Sequence, residues 1–291
     1  MPVADSAPPR LALPPTLSTP EDIERATETL AHALQATAVE RDRAGGHAAA
    51  ERELIRASGL LNITTPRAYG GGGQPWARFY RSLRRIAQAD SALAHLYAFH
   101  HLQVATIVLY GTPEQHEFFL RPTVQQQLFW GNALNPNDKR TVATEDGEGW
   151  RIHGPKSYCS GSVGADCLTF SAWHAPTQSL LIGALPSDRA GLHILSDWDA
   201  FGQKQTDSGT VTFEQLQLAA HEVLVRPGQE PTPRATLRAP MAQLILTHLY
   251  VGLARGALEQ GLRYTREATR PFFASGVQRA VDDPYVQQRY G

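Results

Sequence analysis

The sequence holds only two cysteines, Cys159 and Cys167, and neither lies in a C-x-x-C pair or at zinc-ligand spacing. That excludes a disulfide framework, and both thiols are expected to stay reduced in a cytoplasmic setting. An excess of one charge is also missing: 27 Lys and Arg against 28 Asp and Glu leave a net charge of -1. Neither nucleic acid nor an anionic membrane is therefore an expected partner. The densest basic stretch, Arg78, Arg81, Arg84 and Arg85, has helical spacing and reads as a solvated face. No charged-then-apolar leader is evident. The longest apolar stretch, near Met241 to Ala254, is broken by Gln243 and His248 and is too short to span a bilayer. No G-x-G-x-x-G follows a strand, and Gly70 to Gly73 falls between helices, so no nicotinamide-binding unit is expected. His95, His100 and His101 do not share a helix face at ligand spacing, which leaves no metal site. Between Pro231 and Leu258 there is no Asp or Glu, so the long helix there offers no carboxylate base.

What is present reads as α+β, in three blocks after an arm. Residues 1–18, rich in Pro, Ala and Leu without a period, are expected to form a mobile arm. The helical domain covers 19–126. Thr19-Pro20-Glu21-Asp22 supplies an N-cap, a first-turn proline and acids for a helix that Gly45-Gly46 ends. Further helices are expected over His47 to Ser58, Trp76 to Gln88, Ser91 to Tyr110 behind the cap Asp90, and from Pro113 to about Val124. From Gln127 the period switches to alternation. Residues 127–233 read as an antiparallel β-barrel or sandwich, with strands at Trp150 to His153, Cys167 to Trp173, Ser179 to Leu185, Gly191 to Leu195 and Thr210 to Phe213. Residues 234–291 begin a second helical bundle that is incomplete. Its long helix spans Leu237 to Arg270, where Gly252 and Gly256 imply close approach of another helix. Asp282-Asp283-Pro284 caps one more short helix.

The chemistry concentrates between Phe129 and Gly161. A short aromatic strand, Leu128 to Trp130, leads to a Gly131-Asn132 turn, and the segment ends in Ser157-Tyr158-Cys159-Ser160-Gly161. Amide and hydroxyl groups (Asn132, Ser157, Ser160), the cation Lys156 and close-approach glycines suit a planar heteroaromatic ligand with carbonyl and ring-nitrogen acceptors. A flavin is the obvious candidate.

On these and other stretches the chain resembles the acyl-CoA dehydrogenase superfamily, in its flavin-dependent monooxygenase branch, the dibenzothiophene and sulfone-utilisation enzymes. The stretches are ATAVERDRAGG (36–46), AERELIRASGLL (50–61), PRAYGG (66–71), WGNA (130–133), GPKSYCSG (154–161), DWDAFGQKQTDSG (197–209), PMAQLIL (240–246) and DPY (283–285). The resemblance covers everything from Thr19 onward. It implies a two-component enzyme that uses reduced FMN from a separate flavin reductase, and dioxygen, to oxygenate a small apolar organosulfur substrate through a C4a-hydroperoxyflavin. It implies a homotetramer of soluble, cytoplasmic subunits. Asn132 and Ser160 would bond the flavin edge, Trp198 would lie against the ring, and Thr206 would line the same pocket. His100 would manage protons at the pocket rim, and Arg270 would reach a neighbouring subunit's flavin phosphate. Taken without the resemblance, His100 reads as a buried histidine on a carbonyl, Ser160 as a core hydroxyl, Trp198 as core packing and Arg270 as a cation favoured by a helix C-terminus. Two other functions fit the same order of elements: an FAD-dependent acyl-CoA dehydrogenase, and an inactive truncated remnant that retains flavin or subunit binding.

Overall fold

The cap chemistry at Thr19 does what its residue types dictate: its side chain accepts from the Asp22 N–H and opens α1 (Pro20–Ala44). A computed structural model describes residues 14 and 16–290. The arm expected over 1–18 lies largely outside these residues. Its described end is tied down, with Leu17 packed on the helical core and Ser18 O accepting from Gln74 Nε2 at 2.7 Å. Four more helices follow: α2 (Ala49–Ala57), α3 (Trp76–Ala89), α4 (Ser91–Tyr110) and α5 (Pro113–Gln126). Asp90 caps α4 through the N–H groups of Ala92 and Leu93, both at 3.0 Å. Thr112 and Gln115 form a reciprocal capping box at α5.

By length and composition α4 could cross a membrane, yet 72% of its apolar window is buried inside the fold. It is the axis of the helical core. Leu93, Leu96, Tyr97 and His101 pack against α3 and the turns that follow α2, where Phe79 meets His101 with ring centroids 4.6 Å apart.

Among the described residues the middle unit is one mixed sheet of eight strands: β1 (Trp130–Ala133), β2 (Val142–Asp146), β3 (Gly149–Lys156), β4 (Cys167–His174), β5 (Ser179–Pro186), β6 (Leu192–Ile194), β7 (Val211–Leu218) and β8 (Val223–Val225). The order is β6-β7-β3-β2-β4-β5-β8, and β1 joins β4 from outside that path. Purely antiparallel pairing was expected, but β1 runs parallel to β4, in register Asn132↔Thr169, and β2 meets β4 in parallel at Val142↔Trp173. Gly131 and Asn132, expected in a turn, are inside β1, whose four residues are all buried. A Cβ on Gly131 would come within 2.7 Å of Gly161 O, so only glycine lets the strand and the 158–161 loop meet. The inner face of the sheet is apolar, with Phe170 and Phe213 rings 4.9 Å apart at its centre.

The long helix is α6 (Arg238–Glu267), three residues shorter than expected at its end, and α7 (Pro284–Tyr290) follows. Its glycine pair has the partner the spacing implied, α3. A Cβ on Gly252 would lie 2.5 Å from Arg84 O, and one on Gly256 closer still to Gln88 O. Ile245 and Leu249 are buried on this side. Leu244, Tyr250, Leu253, Leu258 and Tyr264 are exposed on the other.

Candidate functional site

Asn132 and Ser160 are brought together by the backbone: Asn132 N–H donates to Ser160 O at 2.9 Å. The Asn132 side chain accepts from Leu134 N–H through Oδ1 at 3.3 Å, and its Nδ2 has no partner among the described residues. From Ser160 a chain of hydroxyls runs inward. Ser160 Oγ lies 2.8 Å from Ser208 Oγ, which lies 2.7 Å from Thr206 Oγ1, and Thr206 donates to Gln203 O at 3.0 Å. With the last donor fixed, each earlier hydroxyl gives its proton inward, and Ser160 Oγ is left facing out as an acceptor. Trp198, half-buried, donates its indole N–H to the same Gln203 carbonyl at 2.9 Å. Its ring meets the edge of the exposed Tyr158, 6.1 Å between centroids. The Gln203 side chain crosses to α4 and donates to Ser91 Oγ at 2.7 Å. Four of the expected residues, Asn132, Ser160, Trp198 and Thr206, thus belong to one connected cluster.

Three arginines from α1 and α2 hold these loops, and their role was not legible in the sequence. Arg52, only 2% exposed, points both terminal nitrogens at Gly161 O, 3.3 and 3.4 Å away. It lies 3.7 Å from Asp207 and over the Phe129 ring at 4.3 Å. Burial pulls its guanidinium down to about 10, a shift that the nearby Asp207 opposes. His47 meets the same carboxylate at 2.8 Å. Arg41 spans the Asp90 cap and Gln205, each at 2.6 Å, and Arg56 reaches Asp166 at 2.9 Å. Ser160, Thr206 and Ser208 are therefore placed by cations outside the sheet. Arg52→Met leaves Asp207 with His47 alone and should destabilise the fold by about 3–5 kcal/mol, the usual cost of stranding one partner of a buried ion pair. Urea melts of variant and parent measure this, and coincident midpoints would show that the clamp carries no load.

The histidines separate on geometry. His100 is fully buried, its Nε2–H donating to Leu61 O at 2.9 Å and its Nδ1 accepting from Trp130 N–H at 3.1 Å. Burial pushes it down to about 3, so it is neutral with both nitrogens engaged. It has no proton for a ligand at the pocket rim, and what it fixes is β1, two residues from Asn132. His101 is likewise buried, bonded to Leu60 O and Thr64. His95 differs. It stacks on Phe99 at 4.2 Å, its Nε2 has no hydrogen-bond partner, and burial lowers it to about 4. It shares an α4 face with Ser91, one turn earlier, and Gln203 Oε1 near that serine is also without a partner.

Two cations do not join the cluster. Lys156 is fully buried and its ammonium is occupied by the carbonyls of Asn135 and Asp138, which ties down the 135–138 turn. Arg270 lies three residues beyond α6 and is exposed, outside the last helical turn where it was expected. Cys159 and Cys167 are buried free thiols, both pushed up to about 12 by burial. Among the described residues no group of three or more His, Cys, Asp or Glu could hold a metal ion.

A cleft of about 640 Å³ opens beside Gln203 and Ser91, walled by α1, the α3–α4 junction and α6. Of the cluster only Gln203 lines this cleft, with Ser91 of α4. The cluster's own donor set fits a flavin: an unpartnered amide at Asn132, an outward acceptor at Ser160 and an indole face at Trp198, with orphaned polar atoms on His95 and Gln203.

Comparison with known proteins agrees with this chemistry. Residues 22–127 match the acyl-CoA dehydrogenase N-terminal domain. The chain is 43% identical over 264 residues to a probable FMNH2-dependent monooxygenase, SfnC, of Pseudomonas putida, covering 90% of this chain and 67% of that one. The fold superposes on methanesulfinate monooxygenase MsuC from Pseudomonas fluorescens with a TM-score of 0.88 and 42% identity, covering 94% of this chain and 70% of MsuC. TdsC from Paenibacillus sp. A11-2, in complex with FMN and indole, gives 0.88 at 40% identity, covering 93% of this chain and 71% of TdsC. The chain spans about two thirds of the length of the relatives it matches.

Proposed function

Because the chain belongs to the acyl-CoA dehydrogenase family, among its FMNH2-dependent monooxygenases, we propose that it oxygenates a small organosulfur compound with dioxygen and reduced FMN. The observation that carries this reading is a free donor at Asn132 Nδ2 and an acceptor at Ser160 Oγ on two residues joined by their backbones. That pair is complementary to a ring carbonyl next to a ring N–H, the edge a reduced flavin presents. When bound, reduced FMN supplies the two electrons that let one oxygen atom pass to sulfur while the other leaves as water.

The chain's own residues do the rest. Asn132 and Ser160 orient the flavin edge, and Ser208 and Thr206 keep Ser160 an acceptor by taking its proton inward. Trp198 forms a wall, with Tyr158 at its edge. His95 holds or hands over a proton at Nε2. We assign it this role in place of His100, whose nitrogens are both engaged by backbone and whose task is to position β1. Arg52 and Asp207 keep the loops from reorganising when the ligand enters, which is the preorganisation that electrostatic catalysis needs. Arg270, exposed past α6, is available to the flavin phosphate of a neighbouring subunit. A separate flavin reductase, a homo-oligomer and a cytoplasmic location complete the reading.

An FAD-dependent acyl-CoA dehydrogenase would need a base for the substrate α-proton, and α6 turns Ala242, Ile245 and Leu249 inward with no carboxylate among them. The test is to mix the protein with photoreduced FMN, air and organic sulfides. FMN binding tighter than FAD and dioxygen-dependent sulfoxidation are expected. Anaerobic conversion of an acyl-CoA to its enoyl product would reverse the assignment, and binding of flavin with no turnover of any kind would mark an inactive remnant.

A further inference from the structure

One carbonyl in the cluster serves several donors at once. Gln203 O accepts from the Trp198 indole N–H at 2.9 Å, from Thr206 Oγ1 at 3.0 Å and from Thr206 N–H at 3.2 Å. The residue that offers it has a left-handed backbone, φ 54°, which a residue with a side chain rarely adopts without support. Its own loop gives little of that support. Phe201 is fully exposed, and a Cβ on Gly202 would meet nothing within 4 Å. The support comes from α4: Gln203 Nε2 donates to Ser91 Oγ at 2.7 Å, while its Oε1 is buried without a partner among the described residues. One side-chain hydrogen bond to a helix therefore anchors the carbonyl.

The carbonyl decides where the hydroxyl protons lie. Thr206 has one such proton and gives it to Gln203 O. Ser208 must then send its own inward, to Thr206 Oγ1 at 2.7 Å or to Thr206 O at 3.4 Å. Ser160 in turn gives its proton to Ser208 Oγ at 2.8 Å, and only lone pairs of its hydroxyl remain for a ligand. The flavin ring nitrogen beside the carbonyl is a lone-pair acceptor in oxidised FMN and an N–H donor in reduced FMN. An acceptor at Ser160 pairs with the reduced ring and sets lone pair against lone pair with the oxidised one. Asn132 Nδ2 serves the ring carbonyl in both states and does not tell them apart.

We propose that Gln203, through its tether to Ser91, is the positioning residue that makes this site select reduced over oxidised FMN. This rests on the monooxygenase reading above and names the residue behind its choice of flavin state. Gln203 acts through Thr206, Ser208 and Ser160. When the tether is cut the carbonyl is free to leave Thr206, the three hydroxyls can turn together, and Ser160 can present its proton outward. The same carbonyl holds the Trp198 indole, so one atom sets both the wall of the ring site and its preference between the two states.

Oxidised FMN and photoreduced FMN are the probes, titrated into the flavin-free protein, the reduced form without oxygen. Two variants break the path at different points. Ser91→Ala cuts the tether from the α4 side and should not weaken that helix, because alanine is the best helix former and Asp90 is the cap. Ser208→Ala removes the acceptor for the Ser160 proton. Thermal melts confirm that both fold. The parent should bind reduced FMN about tenfold or more tightly than oxidised FMN. Each variant should lose about tenfold of that preference, chiefly by binding oxidised FMN better. The midpoint potential of the bound flavin should fall by about 30 mV for each tenfold lost. Ser91→Thr, which keeps the hydroxyl, should keep the parent ratio. Equal affinity of the parent for the two forms overturns the proposal and leaves the monooxygenase reading in place. So does a parent ratio retained in Ser208→Ala, and one retained in Ser91→Ala alone takes the role from Gln203. If the preference and its losses appear but no substrate is oxygenated, the selection of flavin state stands and the monooxygenase reading fails. A parent that binds neither form ends both.

Discussion

His95→Ala is expected to slow oxygen transfer by about 10²–10⁴-fold, the range of a positioned general acid or base, while FMN affinity changes little. Burial lowers the imidazole to about 4, so at neutral pH it is uncharged and presents one N–H and one lone pair, through which it can hold a proton shared with the ligand without becoming a full imidazolium. It is the histidine of α4 whose ring makes no hydrogen bond among the described residues, and its Nε2 is buried; both nitrogens of His100 and of His101 are engaged. Single-turnover mixing with photoreduced FMN and oxygenated buffer separates the transfer step from flavin binding. His100→Gln is the comparison: it should loosen β1 and weaken FMN binding more than it slows transfer. A His95→Ala protein that transfers oxygen at the parent rate would reduce His95 to a ring stacked on Phe99.

Acid should weaken this fold well before its carboxylates titrate. His100 and His101 are fully buried. Burial holds His100 near 3 and His101 well below its usual value, with the adjacent His100 adding to the latter shift. The sign follows from the unfolded chain, where both imidazoles titrate near 6.5. Above that pH neither state binds the protons and the stability is full. As the pH falls from 6.5 towards 3, only the unfolded chain protonates His100, and stability drops by about 1.4 kcal/mol per pH unit. His100 alone should remove about 2 kcal/mol between pH 7 and pH 5, and His101 acts in the same direction. Protonation of His100 would also take away the acceptor for Trp130 N–H and release β1 with Asn132 on it. Urea titrations at both pH values give the measurement. Matching free energies would mean that the two rings are open to protons in the folded state.

Legibility in the sequence followed how local each interaction is. The bounds of α4 were readable to the residue because Asp90 caps its own next turn and Gly111-Thr112-Pro113 closes the helix and starts another. Asn132 was recognised as a site residue but placed in a turn, since its strand is defined by pairing with Thr169, 37 positions on, and no local period reports a parallel partner. Lys156 was read as a cation for the ligand, because nothing nearby in sequence reveals that two turn carbonyls enclose it. Arg52 lies in a stretch expected only to be a short helix, and its partner Gly161 is 109 residues away. His95 and His100 are five apart on an apolar helix with buried residues on most sides, so hydropathy could not tell which one faced the cluster.

The two glycines of α6 bear on motion. With the carbonyl oxygens of Arg84 and Gln88 seated where methyl groups would otherwise be, the backbones of α3 and α6 interlock like a dovetail. Sliding one helix along the other would drive a side chain into the opposite carbonyl, and rolling it would do the same. Shear, the usual way packed helices yield to a ligand, is therefore closed at this contact. The long helix should travel with the amino-terminal helices as a single lever, tied at its head where Arg238 Nε donates to Thr106 Oγ1 of α4 at 2.7 Å. Whatever widens the entrance for a substrate must bend elsewhere, in the Trp198–Gln203 loop, where one glutamine side chain is the tether to α4.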